Sequence, residues 1–570
     1  MSTTGLVQAL EALVGKRHLL TGLAKTRHYR TGFRSGEGDA LAVVFPTSLL
    51  MQWKVLQLCV DANCIVIMQA AKTGLTEGSS PSGYDYDRPV VIINGRKITG
   101  LSLLNGGDQV LAFPGTTLHQ LESALKPLGR EPHSVIGSSC IGASVIGGIA
   151  NNSGGALVQR GPAYTQLALY AQVTAEGELQ LVNHLGIALG GSPEDILSAL
   201  DQQTFAPAAV QPCAEQMASD LEYSTRVRDI EADSAARYNA DPRRLYEASG
   251  CAGKLAVFAV RVDTFHTPKR EKTFYIGTND VDQLTEIRRH VLSRFRSLPV
   301  LGEYIHRDAF DLARRYGKDT FVAIHRLGTD AMPGLFALKG YLTSLFNRLP
   351  LLPKDFPDRV MQWGSHLFPE QLPERLLSMR DQFEHHLIVK MSNEGIEELE
   401  SYLDGFFRSN MTLQQRGGYI ECTADEAARA MLHRFAVAGA GVRCAQVRQR
   451  KVEDIIALDI ALPRNNRDWF EILPADLAES LEPPLYYGHF FCQVFHQDYL
   501  VKKGQDAKKI KQRLLDFQLA RGAKFPAEHN VGHLYQAEPA LEAFYKSLDP
   551  TNTFNPGIGK LSKSRQYGCC

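Results

Sequence analysis

No stretch of the chain reaches the roughly 18 consecutive apolar residues needed to cross a bilayer, so any membrane contact is expected at the surface. Neither sign of charge is in excess: 62 Lys+Arg face 62 Asp+Glu, for a formal net charge of zero. A dedicated nucleic-acid binder carries a basic surplus, so nucleic acid is not expected as a partner. Cysteine is sparse, ten in 570 residues with no CxxC pair, which excludes a disulfide scaffold and suits a reducing compartment. The first 34 residues hold no apolar core followed by a small-residue cleavage site, so no signal peptide is expected. No internal repeat is visible.

What is present has a globular balance, 44% hydrophobic and 22% charged residues, and a length that predicts two or three domains. From about 40 to 185, short apolar runs (Leu41–Phe45, Cys64–Met68, Val90–Ile93, Gln109–Phe113) alternate with Gly/Ser loops and helical stretches such as Ser48–Ala62 and Leu118–Leu128. This is an α+β pattern with strands of about five residues. Residues 200–245 are polar and irregular and read as a long excursion, after which Leu255–Val262 is again a strand. A second α+β unit follows, with a strand at Arg270–Ile276 and a helix at Asp282–Phe295; its texture returns at His386–Lys390, Gly395–Phe407 and Asp425–Ala438. Between its two pieces, residues 307–385 are rich in Pro, Leu and Phe. Within 314–354, seven basic residues (Arg314, Arg315, Lys318, Arg326, Lys339, Arg348, Lys354) face two acidic ones (Asp319, Asp330). A basic, apolar stretch without a spanning segment suits either an anionic lipid surface or a lid packed on the protein.

Two small-residue segments point to a ligand. Gln69-Ala-Ala-Lys-Thr-Gly-Leu-Thr-Glu-Gly78 follows a strand directly and leaves backbone N–H groups free to converge on an anion, although a plain turn has the same composition. Ser134–Gly155 holds six glycines and five serines in 22 residues. Such a run is a poor core helix; it suits a flat ligand lying against the backbone, or a close-packed loop.

Thr73–Gly78, then Val110–Leu125 with Pro114-Gly-Thr-Thr-Leu118, the Ser134–Gly155 strip and Ser249–Val257 together resemble the flavin-binding domain of the vanillyl-alcohol-oxidase/PCMH superfamily. That resemblance implies FAD. Its diphosphate would rest on Gln69, Ala70, Ala71, Lys72, Thr73, Gly74, Glu77 and Gly78, and its ring against Ile136, Gly137, Ala143, Ser153 and Val257. The first loop departs from the superfamily's usual triple glycine, with Ala70, Ala71 and Lys72 in its place, and Lys72 is a further candidate for the diphosphate. The absence of His, Cys and Tyr from this loop favours non-covalent FAD.

Near the C-terminus, Tyr486-Tyr-Gly-His489-Phe-Phe-Cys-Gln-Val-Phe-His496 sets two histidines seven apart, and Glu528-His529 places a carboxylate beside another imidazole. Two His and one Glu form a common divalent-ion set, with the neighbouring His available as a base. The pattern resembles the catalytic module of the FAD-linked 2-hydroxy-acid dehydrogenases, as does the tail Asp549-Pro-Thr-Asn-Thr-Phe-Asn-Pro-Gly557. By that resemblance His489, His496 and Glu528 hold a metal (Zn or Mn), His529 accepts the proton, with Glu528 beside it, and Arg434 binds the substrate carboxylate. Phe491-Cys-Gln-Val494 replaces the family's Gly-Asp-Gly-Asn, and Ala457 stands where the family has a substrate-binding lysine.

Over its whole length the chain is similar to the respiratory, quinone-linked D-lactate dehydrogenases of Gram-negative bacteria, most visibly in Arg130–Ser144, Arg226–Asp233 and Tyr486–Lys503. The implied activity is oxidation of D-lactate to pyruvate with electrons passing to a membrane quinone. The implied location is the cytoplasmic face of the inner membrane, held peripherally through anionic lipid. A soluble dehydrogenase of another 2-hydroxy acid, such as 2-hydroxyglutarate, and a non-catalytic flavin-binding module are the rivals. The expected architecture is α+β: a PCMH-type FAD-binding domain over 1–262, completed by 514–570; a cap domain over 263–306 and 386–513; and a membrane-contacting insertion over 307–385.

Overall fold

The computed structural model describes residues 1–134, 141–212, 215–327, 346, 356–365, 367–408 and 416–568. Ile136 and Gly137 of the expected flavin strip, and Lys339, Arg348 and Lys354 of the basic stretch, lie outside the described residues.

Three sheets organise the chain. In the first, Leu19–Thr21 pairs antiparallel with Ala42–Val44, which runs parallel to Val90–Asn94, itself parallel to Ile65–Gln69. These strands read as continuous apolar runs because both faces are covered. Val43, Ile65, Ile67 and Ile92 pack to one side, and Val44, Val66, Val91 and Ile93 pack to the other. The helix Leu49–Asp61 covers the second face, started by the Ser48 hydroxyl accepting from the Met51 N–H.

The second sheet is antiparallel, ordered Leu101–Leu104, Gln109–Ala112, Ala256–His266, Ala168–Val173, Leu179–Asn183, with Arg130–Pro132 on the far end of the long strand. It shares a core with the first sheet through Leu111, Phe113, Leu169 and Phe258. The tail returns to this half: Val66 donates to the Thr553 carbonyl, and the buried Asp549 carboxylate accepts from the N–H groups of Thr553 and Phe554.

The third sheet is a seven-stranded antiparallel layer with its own core. Its order is Gly417–Glu421, Glu271–Thr278, His385–Ser392, Leu301–His306, Leu485–His489, Val494–Lys502, Val452–Ala461. His306 and His385 are register partners, so the chain leaves and re-enters this sheet at one point. The described helices of that excursion, Arg307–Tyr316, Lys318–Leu327, Phe356–Ser365 and Glu374–Gln382, sit beside the helix Ala424–Val447. Phe310, Ala313, Tyr316 and Phe321 pack on its Val437, Ala440 and Cys444. Among the described residues, no helix is long and apolar enough to cross a membrane.

One expectation is refined and one is corrected. The stretch Asp425–Ala438, read only as a return of the α+β texture, lies in a helix Ala424–Val447 that starts from a capping box in which Thr423 accepts from the Glu426 N–H and Glu426 accepts from the Thr423 N–H. It continues through Gly441 because that glycine lets the helix approach Ile455 and Leu485, at 3.3–3.4 Å from where a Cβ would stand. The stretch 200–245 is not a surface excursion in its second half: Tyr223, Arg226, Arg237 and Arg244 are buried. Their charges are matched by Asp220, which pairs with Arg226 and Arg244, and by Glu528.

Candidate active site

A cavity of about 1360 Å³ lies between the two halves of the molecule. That exceeds the roughly 300–1,000 Å³ of most small-ligand sites and leaves room for an extended dinucleotide beside a small substrate. One wall is Gln69–Thr76 with Gly78, the segment 143–156 and the backbone around Val257; the other is the cap face carrying Glu303, Arg434, His489, His496 and Asp459, with Glu528 and His529 beside it.

The first wall fits a dinucleotide. The backbone N–H groups of Ala70 to Gly74 donate to no acceptor among the described residues, and a Cβ at Gly74 would meet nothing within 4 Å. Ala143, Ser153 and Val257 line the cavity. Gln69 lines it too, but its side chain holds the loop in place, donating to the carbonyls of Tyr29 and Ser79 and accepting from Asn94. Glu77 is turned away from the cavity, its carboxylate accepting from Ser35. The Lys72 ammonium is taken up by the carbonyls of His28 and Thr31, at the end of the helix Leu23–Arg30. Burial lowers its pKa to about 8. Two glycines serve the contact between the halves: a Cβ at Gly78 would stand 2.6 Å from the Asn530 side chain, and one at Gly154 2.5 Å from a Glu528 carboxylate oxygen.

Sheet register builds the second wall. His489 and His496 flank a hairpin in which His489 faces Val494 and Tyr487 faces His496. Their seven-residue spacing therefore puts both imidazoles on one face, with ring centres 5.2 Å apart. The neighbouring strands add a carboxylate opposite each: Glu303 is the register partner of His489, and Asp459 that of His496. Glu528 is delivered to the same spot by the segment 524–528, whose backbone bonds to Ala461 and Asp459.

The result is a buried chain of charges. Arg434 contacts Glu303 at 2.8 Å, Glu303 contacts His489 Nδ1 at 2.6 Å, His489 Nε2 lies 3.3 Å from Glu528, and Glu528 accepts from Arg237 at 2.7 Å. His496 joins it, Nδ1 at 3.5 Å from Asp459 and Nε2 at 3.7 Å from Glu528. Burial alone would lower His489, but Glu303 and Glu528 raise it to about 10. Burial would raise Glu303 and Glu528; His489 with Arg434 holds the first below its ordinary value, and His489 with Arg237 holds the second well below. Burial and the Glu528 charge push Asp459 up to about 8, and burial pushes His496 down to about 3. Together these shifts describe an ionised Glu528 beside a protonated Asp459.

His529 is half-buried at the cavity wall, with Nε2 4.0 Å from Asp459, and burial lowers its pKa. It is therefore a neutral imidazole at neutral pH. Arg434 is brought to the site, but its Nη2 is already paired with Glu303 and its plane lies over Tyr487. Sequence reasoning missed Glu303, Asp459 and Arg237. A lone acid inside the apolar strand Leu301–His306 was a usable signal for Glu303; nothing local marks Arg237.

With this geometry in hand, comparison with known proteins defines the class. A family model described as "D-lactate dehydrogenase, membrane binding" matches residues 273–567, and one described as "FAD binding domain" matches residues 40–183. Among solved structures, the chain is similar to p-cresol methylhydroxylase with substrate bound (TM-score 0.57, 13% identity, 98% of this chain and 97% of that one). It is also similar to an alkyldihydroxyacetonephosphate synthase (TM-score 0.57, 10% identity, 98% and 85%). These likenesses place the fold among PCMH-type FAD-binding proteins.

At the level of sequence, the chain is 57% identical to the quinone-dependent D-lactate dehydrogenase of Escherichia coli (strain K12), over 100% of this chain and 99% of that one. It is 53% identical to that of Haemophilus influenzae, over 100% of both, and 44% identical to that of Corynebacterium glutamicum, over 98% and 97%. The chain belongs to the quinone-dependent D-lactate dehydrogenases.

Proposed function

We propose that the chain is an FAD-dependent D-lactate dehydrogenase that oxidises D-lactate to pyruvate and passes the electrons to a membrane quinone, with His529 as its base. The observation that carries the residue assignment is the position of His529: neutral, facing the cavity and set beside a fixed charge network, on the wall opposite the loop whose N–H groups are free. Family membership supports D-lactate over a dicarboxylate such as 2-hydroxyglutarate. The division into a FAD-binding domain over 1–262 and 514–570, a cap over 263–306 and 386–513, and an insertion over 307–385 belongs to this reading; the core of the first two sheets supports a separate FAD-binding unit, although Tyr223, Val227, Ala235, Ala236, Leu514 and Ala523 pack in the third sheet's core.

The Ala70–Gly74 backbone, Ala143, Ser153 and Val257 would hold FAD non-covalently, and FAD would supply the two-electron acceptor for oxidation at C2. The protein supplies placement and proton handling. Oxidation at C2 requires the hydroxyl to lose its proton, and His529 takes it at a ring nitrogen within the cavity. Arg434, which lines the cavity and is held in place by its pair with Glu303, orients the carboxylate. Glu303 keeps His489 charged and Arg434 in place, and Arg237 does the same for Glu528.

His489, His496 and Glu528 also offer ligand atoms within 4.8 Å of one another. Each imidazole has its Nδ1 turned to a carboxylate, the arrangement that orients metal-bound histidines. We include a Zn or Mn ion on these three side chains in the proposal; it would help hold the substrate oxygen.

Contact with an anionic membrane at the cytoplasmic face is assigned to the insertion. Arg314 is paired with Glu370 at 2.6 Å, which leaves Arg315, Lys318 and Arg326 as the basic contribution from the described residues of this stretch. The apolar contribution is the exposed edge Val360, Met361, Trp363, Leu367 and Phe368, with Trp363 71% and Leu367 77% exposed.

Three outcomes are expected. His529→Ala lowers the rate of flavin reduction by D-lactate by roughly 10²–10⁴-fold with bound FAD retained; wild-type reduction would refute the base assignment. Dialysis against a strong chelator slows D-lactate turnover while FAD stays bound, and metal analysis shows loss of one ion per chain; turnover unchanged in metal-free protein would remove the ion. Charge reversal at Arg315 and Lys318 combined with Trp363→Ser abolishes co-sedimentation with anionic vesicles at low salt, and undiminished co-sedimentation would remove the membrane assignment.

A further inference from the structure

His306 and His385 stand where the chain leaves the third sheet and returns to it. They are the last register pair between Leu301–His306 and His385–Ser392, and their ring centres are 5.3 Å apart. Alternate residues of a strand face opposite sides, so Tyr304 and His306 point away from the side that Glu303 gives to the cavity. Neither histidine lines that cavity, nor does the neighbouring Glu384. Together the three offer ligand atoms within 4.8 Å of one another. Among the described residues they are the second such group, beside His489, His496 and Glu528. The reaction uses none of them.

Their surroundings orient them as the ligands of an ion are oriented. The Tyr304 hydroxyl lies 2.7 Å from His385 Nδ1, and the Asp308 carboxylate lies 3.4 Å from His306 Nδ1. An oxygen at Nδ1 fixes each ring and leaves Nε2 for an ion. Without an ion, His306 Nδ1 also accepts from the Asp308 N–H at 3.3 Å and caps the helix Arg307–Tyr316. With an ion on Nε2, Nδ1 carries the ring hydrogen and donates it to the Asp308 carboxylate. Glu384 is held by its backbone: its N–H donates to the Asn279 side chain at 2.9 Å, and its carbonyl accepts from the Arg307 N–H at 2.8 Å. The Arg307 guanidinium donates to one carboxylate oxygen of Glu384 at 2.6 Å and leaves the other. Phe470 packs on both imidazoles, with ring centres 5.6 and 4.8 Å away, and shields one side of the group. Glu384 is exposed, which gives an ion a way in. Zinc–ligand bonds of about 2.0–2.2 Å set ligand atoms about 3.3 Å apart, so the group closes by about 1.5 Å at most.

We propose that His306, His385 and Glu384 bind a divalent ion of the zinc class, at a site apart from the cavity that pins together the two strand ends between which the excursion departs and returns. Two imidazoles and one carboxylate suit zinc, whereas calcium and magnesium take oxygen ligands. A cross-strand pair is the geometry that brings two imidazoles to one point on a sheet. With the ion in place, the start of the helix Arg307–Tyr316 and the start of the returning strand share one centre, so neither frays without the other. The inference does not depend on the activity proposed above.

The test uses full-length, FAD-loaded wild type, His306→Ser and Glu384→Gln, each stripped with a chelator and then given zinc. Serine keeps the helix cap but is outside zinc's usual ligand set. Bound zinc per chain is counted after gel filtration, affinity is taken from calorimetric titration, and the melting temperature is read with and without zinc. His306→Ser is expected to bind one ion per chain fewer than wild type, whether wild type binds one or two. Glu384→Gln is expected to weaken that ion by at least roughly 10-fold, since even an outer-shell loss typically costs 10- to 100-fold. Zinc raises the melting temperature of wild type more than that of His306→Ser, and both zinc-loaded variants keep wild-type FAD content and D-lactate turnover. Equal ion count and affinity in wild type and His306→Ser would overturn the proposal, as would a wild type that takes up no zinc. Glu384 is exposed, so Glu384→Gln carries the comparison if His306→Ser does not fold, and wild-type affinity there also overturns it. If D-lactate does not reduce wild type but the ion is still lost in His306→Ser, the activity fails and the site stands.

Discussion

The site depends on one buried sequence of ion pairs: Arg434 to Glu303, Glu303 to His489, His489 to Glu528, Glu528 to Arg237. Each charge is out of water and is tolerable only because the next one faces it; removing a partner from such a pair typically costs about 3–5 kcal/mol. Arg237 comes from a stretch whose Tyr223, Val227, Ala235 and Ala236 pack in the third sheet's core, so sequence-distant segments are fixed together on one side of the cavity. Gly154 belongs to the same constraint, because Glu528 occupies the space a side chain there would need.

The excursion between His306 and His385 connects to this centre through one long helix and through direct packing on the third sheet at Ile305, Leu485 and Tyr487. Ala424–Val447 carries Arg434 on the cavity side and, a turn further on, packs Val437, Ala440 and Cys444 against the helices of the excursion. The excursion leaves the third sheet between paired His306 and His385, so it adds a unit without disturbing the register that aligns His489 with Glu303.

Much of this was legible in the sequence. The apolar runs gave five of the ten strands of the first two sheets, to within a residue or two at most ends, but not Leu19–Thr21, Leu101–Leu104, Arg130–Pro132, Ala168–Val173 or Leu179–Asn183; the seven-residue separation of His489 and His496 reflects a hairpin that sets both on one face. The small-residue strips proved to line one wall of the large cavity. What escaped was whatever depends on pairing between distant segments. Glu303 and His489 are 186 residues apart, and Arg237 and Glu528 are 291 apart; neither carboxylate-to-cation match leaves a local pattern. Gly78 and Gly154 suggested only a ligand cradle, where they also admit Asn530 and Glu528. Polarity misled once, because the arginines of 223–244 are buried by carboxylates rather than solvated.

The central claim, that Glu303 and Glu528 set the charge and placement of His489 and Arg434, is tested most directly by anaerobic stopped-flow reduction of the flavin by D-lactate in Glu303→Gln, at matched FAD content. The account predicts a fall in the limiting rate of roughly 10- to 100-fold, the usual effect of removing a group that orients a catalytic shell. A wild-type rate in that variant would contradict it.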